Sequence, residues 1–158
     1  MTPPERLVLT FNSAVDPSTC VTSTVTVQGS ATAQPDTSVT FLPGGNCSAI
    51  SSTAVQLELD VQDWGNLQGN INVATTSGNT FISLMAGFIQ SSVGDSSLPT
   101  TSAIQVTTFT ANLDPPSPVQ VALFLDGFIG FVFTEAVNTQ TINPTGITIR
   151  YTDRTTGD

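Results

Sequence analysis

Two stretches of this sequence match each other at a fixed offset, and this duplication constrains the fold more than any other feature. Leu7-Val-Leu-Thr-Phe-Asn-Ser-Ala-Val-Asp16 is matched by Ile129-Gly-Phe-Val-Phe-Thr-Glu-Ala-Val-Asn138, so that Phe11 aligns with Phe133, 122 residues later. The alignment continues without a gap, and Val25-Thr-Val27 meets Ile147-Thr-Ile149. Self-similarity at this spacing indicates repetition of a whole domain rather than of a solenoid unit.

The duplication divides the chain into three parts. We expect a first domain over residues 5–111, a linker over 112–118, and the start of a second, incomplete domain over 119–158. In the second copy, another strand precedes the duplicated strand. The first domain begins at the duplicated strand itself, so it is expected to lack its own first strand. Three prolines in the linker favour an extended polyproline II conformation.

Both domains are predicted to consist of β-strands. Apolar and polar residues alternate in the segment Arg6–Phe11 and again around Leu57. Asp126-Gly127 lies between two alternating apolar runs, which is the strongest short-range signal for a β-hairpin. Many short strands separated by turns predict an all-β fold, an antiparallel β-sandwich.

Other segments are less regular. We expect Val21–Gln28 to be one strand with Val21 directed inward, and residues 46–53 to be a loop. Ile71 and Val73 are predicted to make a short strand.

The composition excludes several classes of function. Charged residues make up 9% of the chain, the net charge is −9, and the sequence contains no Lys and no His. An acidic chain without Lys is not expected to bind nucleic acid or anionic membranes. The absence of His removes the commonest general base, so we expect neither an enzyme nor a cofactor. No apolar run is long enough to insert into a membrane.

Two groups of residues resemble a known family. Leu9-Thr-Phe-Asn-Ser-Ala-Val-Asp-Pro-Ser-Thr19 and Phe131-Val-Phe-Thr-Glu-Ala-Val137 resemble the opening strands of bacterial immunoglobulin-like repeats of the SbsD type. Leu57 to Leu67, followed by Asn79 to Ile89, is similar to repeats in very large surface proteins of algae and other protists. Mastigoneme-type filament proteins are also built from such tandem domains. The resemblance implies an immunoglobulin-like antiparallel β-sandwich with one short helical turn, followed by the opening strands of a second repeat, at the cell surface or outside the cell.

Two covalent features are predicted in the first domain. Cys20 and Cys47 are expected to form a disulfide, although two buried free thiols would also be compatible with the sequence. Asn46-Cys47-Ser48 is an N-glycosylation sequon, so Asn46 should be exposed and, in a eukaryotic source, modified.

Asp60 is expected to cap a single helical turn whose Trp64 and Leu67 pack onto the sheet. Asp60, Asp63 and Asn66 are weak candidates for a calcium site, because hard oxygen ligands suit this ion. Helix capping is the alternative interpretation of the same residues, and we expect no other metal site.

Two further groups of residues are candidates for functional sites. Asp16, Asp126 and Glu135 suggest paired carboxylates for glycoside hydrolysis, but their types differ between the two copies, so we do not expect catalysis. Trp64 and Tyr151 suggest a platform for sugars, although a lone tryptophan on an apolar turn is more often part of a core.

These observations predict a structural subunit or repeat segment of an extracellular filament, appendage or surface array. The alternative is an adhesive or carbohydrate-binding surface module, with glycans as possible partners. The expected partners are other copies of the chain or neighbouring repeats, joined head to tail, with the C-terminal segment extending away from the first domain. The residues predicted to mediate assembly are apolar and would be exposed in a lone second segment: Val119, Val121, Leu123, Leu125, Phe131 and Phe133.

Overall fold

The computed structural model describes residues 6–111, 115–135, 137, 139 and 142–150. In chain order the elements are β1 (Arg6–Thr10), β2 (Val15–Asp16), β3 (Val25–Gln28), β4 (Ser38–Thr40), β5 (Asn46–Ser51), β6 (Ala54–Glu58), α1 (Val61–Gln68), β7 (Phe81–Leu84), β8 (Gln90–Ser91), β9 (Ile104–Gln105), β10 (Pro118–Leu123) and β11 (Ile129–Phe133). The prediction of a β-rich fold with one short helix is therefore confirmed. Part of the predicted linker, residues 112–114, lies outside the described residues.

Two antiparallel sheets form the body of the predicted first domain, residues 5–111, as far as the structure describes it. The larger has the strand order β4-β3-β7-β9, and the smaller has the order β1-β6-β5. Strand β6 is central in the smaller sheet, because Leu57 is opposite Leu7 on one side and Cys47 on the other. Strands β1 and β5 are therefore the two edges of this sheet.

One cluster of buried apolar side chains includes residues from both sheets. Val55 and Leu57 of β6 and Val25 of β3 are completely covered. Phe88 is also completely buried, and its ring stacks on that of Phe11 with 6.2 Å between the ring centroids. The alternation in β6 predicted this packing, since every second side chain of a strand faces the same side.

Helix α1 begins after Asp60, whose side chain accepts a hydrogen bond from the backbone N–H of Asp63 at 2.7 Å. The predicted N-cap is thus confirmed. The helix has eight residues and is longer than the single turn that we expected. Leu67 is buried in the core and Trp64 is half-buried, as the sequence predicted.

Three local predictions are wrong. Val21 is exposed, because Thr22–Thr24 forms a turn of 3₁₀-helix and delays the start of β3. The predicted loop after residue 45 is instead strand Asn46–Ser51, which pairs along β6. Ile71 and Val73 lie in turns, with Ile71 exposed and Val73 buried.

Strands β10 and β11 form the predicted hairpin. Val121 is opposite Phe131, and Leu123 is opposite Ile129. Gly127 in the connecting turn has φ = 90°, a conformation that glycine adopts without steric cost. Within the described residues, the hairpin pairs with no other strand.

Candidate functional site: the open edge of β1, the groove and the hairpin

Strand β1 has one edge with no partner strand among the described residues. The backbone N–H of Phe11, which directly follows β1, donates to the carbonyl of Thr53 at 2.8 Å, on the β6 side. Backbone polar groups point to alternate edges along an antiparallel strand. The backbone N–H and C=O groups of Leu7 and Leu9 therefore also face β6, whereas those of Val8 and Thr10 face the open edge.

The side chains of β1 are less covered than those of the central strand. Leu7 and Leu9 face the core but remain half-buried, whereas Leu57 beside them is fully buried. Val8, on the other face, is half exposed. An edge of this kind can pair with a strand from another chain.

A groove of about 410 Å³ adjoins β1. Its walls come from the start of β1, from α1, from the segment 106–111 and from parts of both sheets. The lining residues are mostly apolar or hydroxyl-bearing: Arg6, Leu7, Val27, Phe41, Leu59, Trp64, Leu67, Gln68, Ala74, Thr75, Thr80, Ile82, Val106, Thr108, Phe109, Thr110, Ala111 and Glu135. The alternating pattern gave no signal for this groove, because its walls are distant in sequence.

The segment that follows β11 contacts the first domain. The side-chain amide of Gln68 in α1 donates to a carboxylate oxygen of Glu135 at 2.9 Å. The C-terminal segment is therefore not wholly extended away from the first domain.

The hairpin presents apolar side chains to solvent. Val119, Val121 and Leu123 are each more than half exposed, and Leu125 in the turn region is fully exposed. In the partner strand, Phe131 is partly exposed and Phe133 is half-buried, and their rings stack at 6.2 Å. The predicted exposure is confirmed for Val121, Leu123 and Leu125, whereas Phe133 is less exposed than predicted. An exposed apolar patch of this kind is typical of an interaction surface.

Two of the three calcium candidates, Asp60 and Asp63, have structural roles. Both carboxylate oxygens of Asp63 accept the backbone N–H of Leu42, at 3.0 and 3.1 Å, so that α1 is joined to the segment after β4. Asp60 caps the helix, and Asn66 is exposed. No group of three or more Asp, Glu, Cys or His side chains is placed to hold a metal ion within the described residues.

Two carboxyl groups have shifted pKa values. Burial raises the pKa of Asp63, the hydrogen bond from Leu42 opposes this effect, and the nearby charge of Asp60 adds to it. The pKa of Asp16 is lowered, first by the hydroxyl of Ser18 and second by the backbone N–H of the same residue. Each carboxyl group accepts hydrogen bonds, Asp63 from the backbone N–H of Leu42 and Asp16 from Ser18.

The other predicted residues are placed as follows. Cys20 and Cys47 form a disulfide, which confirms that pairing and connects the segment after β2 to β5. Asn46 is exposed, as predicted, but it begins β5 instead of lying in a loop.

Of the remaining candidates, Trp64 and Glu135 both line the groove, whereas Asp126 does not. Asp126 lies in the hairpin turn, and Glu135 contacts α1. Trp64 lines the groove and is half-buried, so it does not form a flat exposed platform. Tyr151 lies outside the described residues.

Comparisons of the chain with family models, with curated proteins and with solved structures return no match. Among the helices of the described residues, none combines the length and apolar character needed to cross a membrane.

Proposed function

We propose that the chain is a structural module of an extracellular filament, appendage or surface array, whose immunoglobulin-like β-sandwich domains assemble head to tail. The observation that carries the proposal is the exposed apolar face of the β10–β11 hairpin. An isolated two-stranded hairpin is marginally stable in water. Covering side chains such as Val121 and Leu123 is favourable by about 25 cal/mol for each Å² of apolar surface removed from water.

Two further observations support the proposal. The open edge of β1 and the hairpin are different surfaces, so a contact between them in two copies is heterologous and can continue without closing. The disulfide between Cys20 and Cys47 is compatible with an oxidising, extracellular environment.

Sedimentation velocity over a range of protein concentrations tests this function. We expect association that increases with concentration, and a large loss of association when Val121 and Leu123 are both changed to Asp. Gln120→Asp is the matched control, because it adds a charge to the opposite face of β10 and should have a much smaller effect. A chain that stays monomeric at every concentration would contradict the proposal.

Carbohydrate binding is a second candidate, because the groove combines the aromatic side chains of Trp64 and Phe109 with the polar groups of Gln68 and Thr75. Ligand pockets are typically lined by apolar and aromatic side chains, with a few polar groups that fix the orientation of the ligand. A glycan array with the unchanged chain and with Trp64→Ala tests this candidate. Selective binding that disappears in the variant, and persists in Trp64→Phe, would favour it.

A further inference from the structure

The two copies of the repeated strand are each paired along one edge only in the described chain. The 122-residue offset places Ile129, Phe131 and Phe133 of the second copy on Leu7, Leu9 and Phe11 of the first. Strand β1 pairs with β6, whereas its equivalent β11 pairs with β10.

The paired edges are opposite ones. The N–H of Phe124 donates to the carbonyl of Phe128 at 2.8 Å, next to the turn of the hairpin. Because hydrogen-bonded pairs alternate along an antiparallel ladder, Gly130 and Val132 are the residues of β11 whose backbone groups bond to β10. At the repeat offset these residues correspond to Val8 and Thr10, whose backbone groups face the open edge of β1. Strand β10 therefore occupies, on β11, the edge that β1 leaves open.

We propose that the open edge of β1 accepts β10 from a second copy of the chain. The strands run antiparallel, with Ala122 opposite Val8 and Gln120 opposite Thr10. This register follows from the pairs Ala122↔Gly130 and Gln120↔Val132 in the hairpin. The inference rests on the proposed head-to-tail assembly and specifies how two copies are joined.

The side chains support this register. It places Leu123 opposite Leu7 and Val121 opposite Leu9, so that four apolar side chains share one face. Leu7 lines the groove, and Leu7 and Leu9 are only half-buried without the added strand. The exposed side chains of β10 and the incompletely covered side chains of β1 would therefore cover each other.

An intact hairpin could bind the open edge of β1 only through the edge of β10 that faces away from β11. This arrangement is less consistent with the alternation of side chains along β10. The backbone groups on that edge belong to Val121 and Leu123, because those of Gln120 and Ala122 bond to β11. Pairing through them would direct Gln120 and Ala122 toward the core, because a one-residue change of register exchanges the two faces of a strand.

Strand β10 must leave β11 to bind β1, because it uses the same backbone groups in both ladders. This step replaces the backbone hydrogen bonds between β10 and β11 by an equivalent set between β10 and β1 of the other copy. The hairpin that opens is only marginally stable by itself. Addition of a strand from one chain to an exposed sheet edge of another is a known mode of association. The turn at Asp126-Gly127 would open. Because Phe124 lies opposite Arg6 of the other copy in this register, the carboxylate of Asp126 would approach that arginine.

Disulfide trapping in trans tests the register. A Thr10→Cys chain is mixed with a Gln120→Cys chain, so that a cross-link between the new cysteines must join two copies. Directly opposed residues of this type have Cα atoms about 5.5 Å apart, within disulfide reach, whereas diagonal neighbours are about 7–8 Å apart. The control mixture therefore pairs Thr10→Cys with Ala122→Cys.

We expect most cross-linked dimer in the first mixture and little in the control. Equal yields in the two mixtures, or no cross-link in chains that sedimentation shows to associate, would overturn this register and leave head-to-tail assembly standing. Absence of association would contradict both proposals.

A second variant tests whether β10 leaves its hairpin. Gln120→Cys combined with Val132→Cys places two cysteines at an opposed pair of the hairpin and locks β10 to β11. The oxidised variant should lose association and the reduced variant should regain it, with the unchanged chain under the same reductant as control. Association of the locked chain at the level of the unchanged chain would overturn the proposal.

Discussion

Replacing Asp63 with alanine should destabilise the protein more than replacing it with asparagine. The Asp63 side chain is 1% exposed, and its two oxygens accept the backbone N–H of Leu42. Alanine offers no acceptor and leaves this N–H without its partner. Asparagine keeps a carbonyl oxygen of nearly the same shape, without the charge.

The magnitude follows from two interactions. A largely buried donor that loses its partner costs about 1–3 kcal/mol. Loss of a carboxylate from the first turn of a helix costs about 0.3–1 kcal/mol more. We therefore expect Asp63→Ala to lower the free energy of unfolding by about 1.3–4 kcal/mol. Asp63→Asn should stay within about 1 kcal/mol of the unchanged protein, because it also removes the cost of burying a charge.

The same residue should affect the pH dependence of stability. Because burial raises the pKa of Asp63 above its ordinary value of 3.8, the folded state holds the proton to higher pH than the unfolded state. The resulting stabilisation is fully present below pH 3.8 and is lost as the pH rises through the raised pKa. Asp16 acts in the opposite sense, because its lowered pKa gives stability above pH 3.8 that is lost as the pH falls through the lowered value.

Urea unfolding from about pH 3 to about pH 7, followed by the fluorescence of Trp64, measures both effects. Asp63→Asn should become more stable relative to the unchanged protein as the pH rises through this range. Asp60→Asn is a useful control, since asparagine caps helices as well as aspartate but removes the charge that helps to raise the pKa of Asp63. Equal destabilisation by alanine and asparagine would refute the role assigned to the Leu42 hydrogen bond.

Three further predictions concern other parts of the chain. Changing both Cys20 and Cys47 to Ser should lower the free energy of unfolding by about 3.5 kcal/mol from loop closure, measured by urea unfolding, and an unchanged midpoint would contradict this. Expression in a eukaryotic secretory host should give a glycosidase-sensitive mass increase that is absent in Asn46→Gln; an unmodified Asn46 peptide would count against it. Val8→Pro should abolish association while the chain still folds, because it removes an N–H only from the open edge of β1, whereas Ala49→Pro at the β5 edge should leave sedimentation unchanged.

Much of the local structure could be read from the sequence because its determinants are local. The alternation in Arg6–Phe11 and around Leu57 identifies strands from side-chain period alone. The cap at Asp60 and the turn at Asp126-Gly127 depend on one or two residues with distinctive backbone preferences. The apolar face of the hairpin also follows from sequence, because alternate residues of each strand are apolar.

Tertiary structure decided the rest, since it depends on pairing between distant segments. The residues of β5 have a polar, loop-like composition and form a strand because β6 supplies a ladder of backbone partners. The hydrogen bonds from the backbone N–H of Leu42 to Asp63 depend on the packing of α1 against the segment after β4, which are distant in sequence. The duplication alone shows that β1 and β11 are equivalent strands. Which edge of each strand is paired depends on the neighbouring strand, β6 for β1 and β10 for β11, because the neighbour determines which backbone groups form hydrogen bonds.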